Sequence, residues 1–243
     1  MSRSPYIVPA LKKHTATVIM AHGLGDSGAG WVSIAHNWRR RGMFDEVTFI
    51  FPNAPAIPVT VNRGMTMPAW FDIATFGREF DFEEAPKHQD EPGMLRSREY
   101  FDSLVKEQIE KGIKASRIVL GGFSQGGAMS LFSGITSKEK LGGVFGLSCF
   151  MPLTDRIQNY MPEAFPNKQT PIFIAHGEED PVIPHEFGKL SAEFVKKLGI
   201  EDVSFKSYPY LGHSADATEM EDLENFLHKA LPSVGDSEAT PDL

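Results

Sequence analysis

Cysteine is nearly absent. Cys149 is the single one among 243 residues, which excludes both a disulfide framework and a cysteine-built metal site. No apolar run approaches the ~18–20 residues a membrane span needs, and no period of roughly 20–50 residues marks a repeat array. The start, Met1 to Lys13, lacks the basic-then-apolar order of a secretory signal. Together these absences predict a reducing, cytoplasmic compartment, with nuclear entry left open. Bases are also in deficit: 24 Lys and Arg stand against 32 Asp and Glu, a formal charge of −8. Nucleic-acid binding, which needs a basic stripe, is therefore not expected. Nor is a metal, since no H-E-x-x-H or clustered ligand spacing exists.

What is present suits one larger domain with a continuous core. Apolar residues make up 41% and phenylalanine occurs 18 times, too apolar a chain to stay disordered. Residues 214–243 hold eight acids against Lys229 alone, whereas residues 1–42 hold six bases against Asp26. The expected organisation is a single domain over residues 1–231 and an acidic, solvated, flexible tail over 232–243.

Short β-rich runs alternate with helical patterns along the whole chain. Ala16 to Met20, Val47 to Phe51, Arg117 to Leu120, Gly143 to Leu147, Ile172 to Ala175 and Val203 to Tyr208 read as strands. Most are continuously apolar, as strands covered on both faces are. Helical patterns run over Ile34 to Arg40, Leu95 to Lys111, Gly126 to Ile135, Pro184 to Leu198 and Glu219 to Ala230. This alternation predicts an α/β fold with a mostly parallel central sheet and helices on both faces. The polar segment Ala74 to Gly93, with Pro86 and Pro92, fits neither period and reads as a lid or a surface loop.

The strongest chemical signal is Gly122-Phe123-Ser124-Gln125-Gly126-Gly127, lying between a strand and a helix. A G-x-S-x-G in that context is a nucleophile elbow, whose strained turn needs small neighbours. A serine hydroxyl needs a base, and the base needs an orienting acid, in the chain order Ser, acid, His. Of the downstream histidines, His213 lies in the loop between the last strand and the last helix, where the base belongs. His176 ends its strand too early, and His185 and His228 sit on helical stretches. The acid should lie in His176-Gly177-Glu178-Glu179-Asp180-Pro181. Asp180 is favoured, with Glu179 and then Asp155 as alternatives. Tetrahedral intermediates need N–H donors: Gln125, after the nucleophile, and Leu24, in the Gly-rich loop His22 to Gly28, are the candidates. That loop lacks the lysine of a P-loop. His22 could act as a second base or as a structural hydrogen-bonding group within the loop.

Read together, GFSQGG, HGLGDSG, GEEDPVIP and GHS resemble the acyl-protein thioesterases, the phospholipase/carboxylesterase group of α/β-hydrolases. The likeness extends from about Ile7 to Leu231. It implies an α/β-hydrolase fold, a triad of Ser124, Asp180 and His213, oxyanion donors Leu24 and Gln125, and no cofactor. It further implies removal of palmitate from cysteine thioesters on proteins such as G-protein α subunits and Ras-like GTPases, with lysophospholipids and small esters as lesser substrates. The animal enzymes carry an acylatable cysteine near the N-terminus; this chain begins Met1-Ser2-Arg3-Ser4, so at most transient membrane-surface contact is expected. The stretch between Phe76 and Arg98 looks longer and more acidic than the family's acyl-channel loop. Trp70, Ile73, Phe76, Phe150 and Met151 are the candidate acyl-contact residues. The competing readings are a small-ester carboxylesterase or lysophospholipase, and a non-catalytic receptor built on the same fold.

Overall fold

The computed structural model describes residues 4–74, 82 and 84–235. A seven-stranded sheet runs in the order β1-β3-β2-β6-β7-β8-β9. Its strands are β1 (Tyr6–Val8), β2 (Ala16–Ala21), β3 (Val47–Phe51), β6 (Ile118–Phe123), β7 (Gly143–Leu147), β8 (Ile172–Gly177) and β9 (Val203–Tyr208). All neighbours pair in parallel except β1, which lies antiparallel on β3. A separate hairpin joins β4 (Ala56–Val59) to β5 (Met65–Pro68). The helices are α1 (Val32–Arg40), α2 (Glu91–Glu110), α3 (Gln125–Ile135), α4 (His185–Lys197) and α5 (Ala217–Ala230).

Every residue of β2, β3, β7 and β8 is buried, because the sheet carries apolar cover on both faces. One face packs Ile19, Phe101, Leu120 and Phe132 with α2 and α3. The other packs Trp38, Phe49, Phe145, Phe173 and Leu227 with α1 and α5. At ~25 cal/mol per Å² of apolar surface, these two layers are the main stabilising term.

Three features depart from the sequence reading. The edge strand β1 and the β4–β5 hairpin were not expected; each is short, and prolines interrupt or flank its apolar residues. Helix α2 begins at Glu91 rather than Leu95. Asp90 caps it, its Oδ1 accepting the Gly93 N–H at 3.0 Å, and Pro92 sits in the first turn, where no N–H is needed. The segment Ala74 to Gly93 is therefore not one loop: it includes a 3₁₀ turn at Ala85–His88 and the start of α2.

The far end of the chain is clipped to the sheet. Glu46 accepts hydrogen bonds from the Ser233 and Thr15 hydroxyls and from the Val234 and Gly235 N–H groups. Burial pushes the Glu46 carboxyl up, but these donors outweigh it and hold the pKa at about 2. Residues 236–243 of the acidic tail lie outside the described residues.

Glu219, in the first turn of α5, is the opposite case. It is fully buried, and neither carboxylate oxygen has a partner among the described residues. Burial first, then the charge of Asp216, push its pKa up to about 8. The folded chain thus keeps a proton that the unfolded chain releases above about 4.5. Stability should fall as pH rises through that window, by at most about 1.4 kcal/mol per pH unit. Glu219→Gln, close in shape and never ionised, should flatten the decline. Calorimetry from pH 5 to 9 would show it; parallel wild-type and variant curves would contradict it.

Candidate active site

The site forms at the carboxyl ends of β2, β6, β8 and β9. Ser124 follows β6 and opens α3 with φ 53° and ψ −120°, a strained turn for a residue with a side chain. Glycine neighbours make it sterically feasible: a Cβ on Gly122 would lie 2.5 Å from the Gly126 carbonyl carbon and 2.6 Å from Ala21 O. The Ser124 N–H is tied to Leu147 O on β7 at 2.8 Å. The turn holds the hydroxyl at the sheet edge.

Asp180 and His213 come from the loops after β8 and β9. Those loops are bonded to each other, Glu178 N–H to Tyr208 O at 2.9 Å and Glu179 N–H to Leu211 O at 3.0 Å. Their side chains then meet Ser124. The Ser124 hydroxyl lies 2.9 Å from His213 Nε2, and His213 Nδ1 lies 2.7 Å from Asp180 Oδ2. Asp180 Oδ1 accepts the N–H groups of Val182 and Ile183 at 2.8 and 2.9 Å. Burial raises the Asp180 pKa, but hydrogen bonds from His176 and His213, the charge of His213 and the Ile183 N–H outweigh it, holding the carboxyl well below the ordinary range. The alternatives for the acid fall elsewhere: Glu179 is exposed, and Asp155 pairs with Arg156 at 2.8 Å.

The loop after β2 is built to hold its shape. His22 donates Nδ1–H to Gly23 O at 2.7 Å, and its Nε2 accepts the Ala54 N–H at 3.1 Å. Both ring nitrogens are thus engaged by backbone groups, which gives His22 a structural role, and burial lowers its pKa. The Gln125 side chain bridges the neighbouring loop, accepting from Trp70 N–H at 2.7 Å and donating to Phe71 O at 2.6 Å. The Leu24 N–H has no acceptor among the described residues, and Gln125 is the first residue of α3, where backbone N–H groups lack helical partners.

A cavity of about 1190 Å³ opens over Ser124, His213, Leu24 and Gln125. Ile73 and Phe150 line it, as expected. Trp70 and Met151 do not. Trp70 is 2% exposed, packs edge-on against Phe101 and donates its indole N–H to His22 O at 2.8 Å. Met151 is buried in the same core, its N–H on Ser191 Oγ at 2.7 Å. Both side chains are packed into the core, so these two are scaffold. Phe76 lies outside the described residues. Among the lining residues that escaped the sequence reading are Ile183 and Phe187. The signal was the apolar run Val182-Ile183 just after Asp180, in the same loop.

A serine hydroxyl, an imidazole and a buried carboxylate in one hydrogen-bonded line can perform nucleophilic acyl transfer. Comparison with known proteins agrees. The family model described as phospholipase/carboxylesterase matches residues 3–231. Acyl-protein thioesterase 1 of Emericella nidulans is 73% identical, covering 96% of this chain and 98% of its own. The protein of that name from Gibberella zeae is 51% identical over 94% and 96% of the two chains. The crystal structure of acyl-protein thioesterase 2 from Zea mays superposes with a TM-score of 0.81 at 28% identity, covering 93% of this chain and 98% of that one. With this fold and this family match, the chain belongs to the phospholipase/carboxylesterase family of α/β-hydrolases.

Proposed function

We propose that the protein hydrolyses long-chain acyl thioesters on S-acylated cysteines of proteins, with G-protein α subunits and Ras-like GTPases as the expected substrate classes. The observation that carries this reading is the Ser124–His213–Asp180 line opening into a cavity whose lining includes Ile73, Phe150, Ile183 and Phe187. The names of the relatives supply the thioester. Ser124 Oγ attacks the acyl carbon as His213 Nε2 takes its proton, and Asp180 stabilises the imidazolium. The oxyanion takes the N–H groups of Leu24 and Gln125. Collapse breaks the C–S bond, and His213 returns the proton to the thiolate. Water, activated by the same imidazole, then hydrolyses the acyl-serine. The residues named use no cofactor, and the expected compartment remains the cytoplasm.

These apolar lining residues give the reading its test. A sixteen-carbon chain offers ~0.8 kcal/mol per buried CH₂, so partial burial dominates binding. Ile73→Ala should lower kcat/KM for a palmitoyl-thioester peptide about tenfold or more, from lost contact of ~1.5 kcal/mol. Acetyl ester hydrolysis and melting temperature should change little, because Ile73 is only partly buried. Kinetics on a chain-length series, with thermal melts, decide this. Equal losses on both substrates would instead favour a general carboxylesterase or lysophospholipase.

A further inference from the structure

We propose that His176 is a positioning residue for the catalytic acid, sharing its Nε2–H between the Ile183 carbonyl and Asp180 Oδ2 and so setting how strongly Asp180 holds His213. The inference rests on the Ser124–His213–Asp180 reading above. His176 sits near the end of β8 and is fully buried. Its Nε2 lies 2.9 Å from Ile183 O and 3.3 Å from Asp180 Oδ2. Both partners are acceptors, so Nε2 must carry the hydrogen. Nδ1 is buried without a partner among the described residues, as suits the bare nitrogen of a neutral ring.

The ring has nowhere to turn. Helix α4 passes over it at Gly188, where any Cβ would collide with His176 Nδ1. The shared donor therefore ties the acid to the far end of its own loop, Asp180 to Ile183. The oxygen it reaches is also the one that receives His213 Nδ1–H. Val182 and Ile183 N–H groups occupy the other oxygen. The titratable groups around the pair are His213 from the loop after β9 and His185 of α4, whose ring centre is 5.9 Å from that of His176. Strand β9 sets uncharged Ser207 opposite His176, and Glu178 and Glu179 of the loop itself are exposed.

A donor on Oδ2 draws negative charge away from His213. Without it, that charge falls more fully on His213 Nδ1–H and favours the imidazolium, which cannot accept the serine proton. His176→Phe keeps a ring and removes the donor; His176→Gln offers an amide N–H at similar reach. With purified full-length protein and a short-chain thioester, His176→Phe should lower kcat about tenfold, the scale seen when partners behind a ligating histidine are lost. KM should hold, and the acid limb of the kcat–pH profile should move to higher pH by about half a unit. His176→Gln should restore both. An unmoved limb in His176→Phe, or a loss confined to KM, overturns the proposal. Nitrogen-15 spectra of the wild-type histidines test it without a variant: the Nε2–H tautomer is expected for His176, and the Nδ1–H tautomer overturns it. Ser124→Ala assayed alongside separates the two readings. Activity in that variant removes the triad itself, whereas an inactive variant beside an unmoved limb in His176→Phe removes only the role of His176.

Discussion

Replacing Ser124 by alanine is expected to abolish turnover, a loss on the order of 10⁶-fold in kcat, and to abolish labelling by a fluorophosphonate probe. Both need the same oxygen. Among the described residues the Ser124 hydroxyl hydrogen-bonds only His213 Nε2, and alanine meets the same positive φ of 53°. The melting temperature should therefore stay near wild type, separating loss of chemistry from loss of folding. Intact-mass analysis after probe treatment gives the result directly. Wild-type labelling that maps to another serine would remove Ser124 from the reaction.

Asp180→Asn should lower kcat by about 10⁴-fold, the scale known for the same change in a protease triad. The surroundings dictate which way the amide turns. Val182 and Ile183 donate to Oδ1, so the asparagine oxygen must stay there and its NH₂ must face His213. An NH₂ in that place demands an accepting Nδ1, which leaves a hydrogen on Nε2 pointing at Ser124. The base is then in the wrong tautomer. Glu179→Gln should leave the rate unchanged, since its side chain is exposed. The reverse pattern, loss in Glu179→Gln and a normal rate in Asp180→Asn, would reassign the acid. The carboxylate also couples stability to pH. Its folded pKa is depressed, so its contribution is present above the unfolded carboxylate value and is lost as the solution turns acid; the asparagine variant should lack that part of the acid sensitivity.

The reacting groups were legible because each lies at a strand end in a motif with a local backbone reason. Gly122 and Gly126 announce a turn that only small neighbours allow, and the order of strands then limits where an acid and a base can stand. Side-chain direction was not legible in the same way. Trp70 and Ile73 are three residues apart in one apolar stretch, yet one packs into the core and the other faces the cavity. Periodicity cannot settle this in an irregular segment, because no repeating dihedral fixes the faces. Proline misled at Pro92, which reads as a breaker although it opens α2, and Pro58 interrupts the apolar residues of β4, a strand paired with β5. The loop after β8 folds back so that Ile183 O meets His176 Nε2, a contact that no local motif announces.

The clip at Glu46 has a practical meaning. Glu46, Thr15 and Arg117 all stand just before the strands they lead into, β3, β2 and β6, whereas Ser124 and its partners stand just after theirs. The six residues of β2, at ~3.3 Å each, put about 20 Å of sheet between the two ends. A support or fluorescent reporter joined at Gly235 therefore sits at the end of the sheet opposite Ser124. An immobilised enzyme attached there would hold the Ser124 end of the sheet away from the surface.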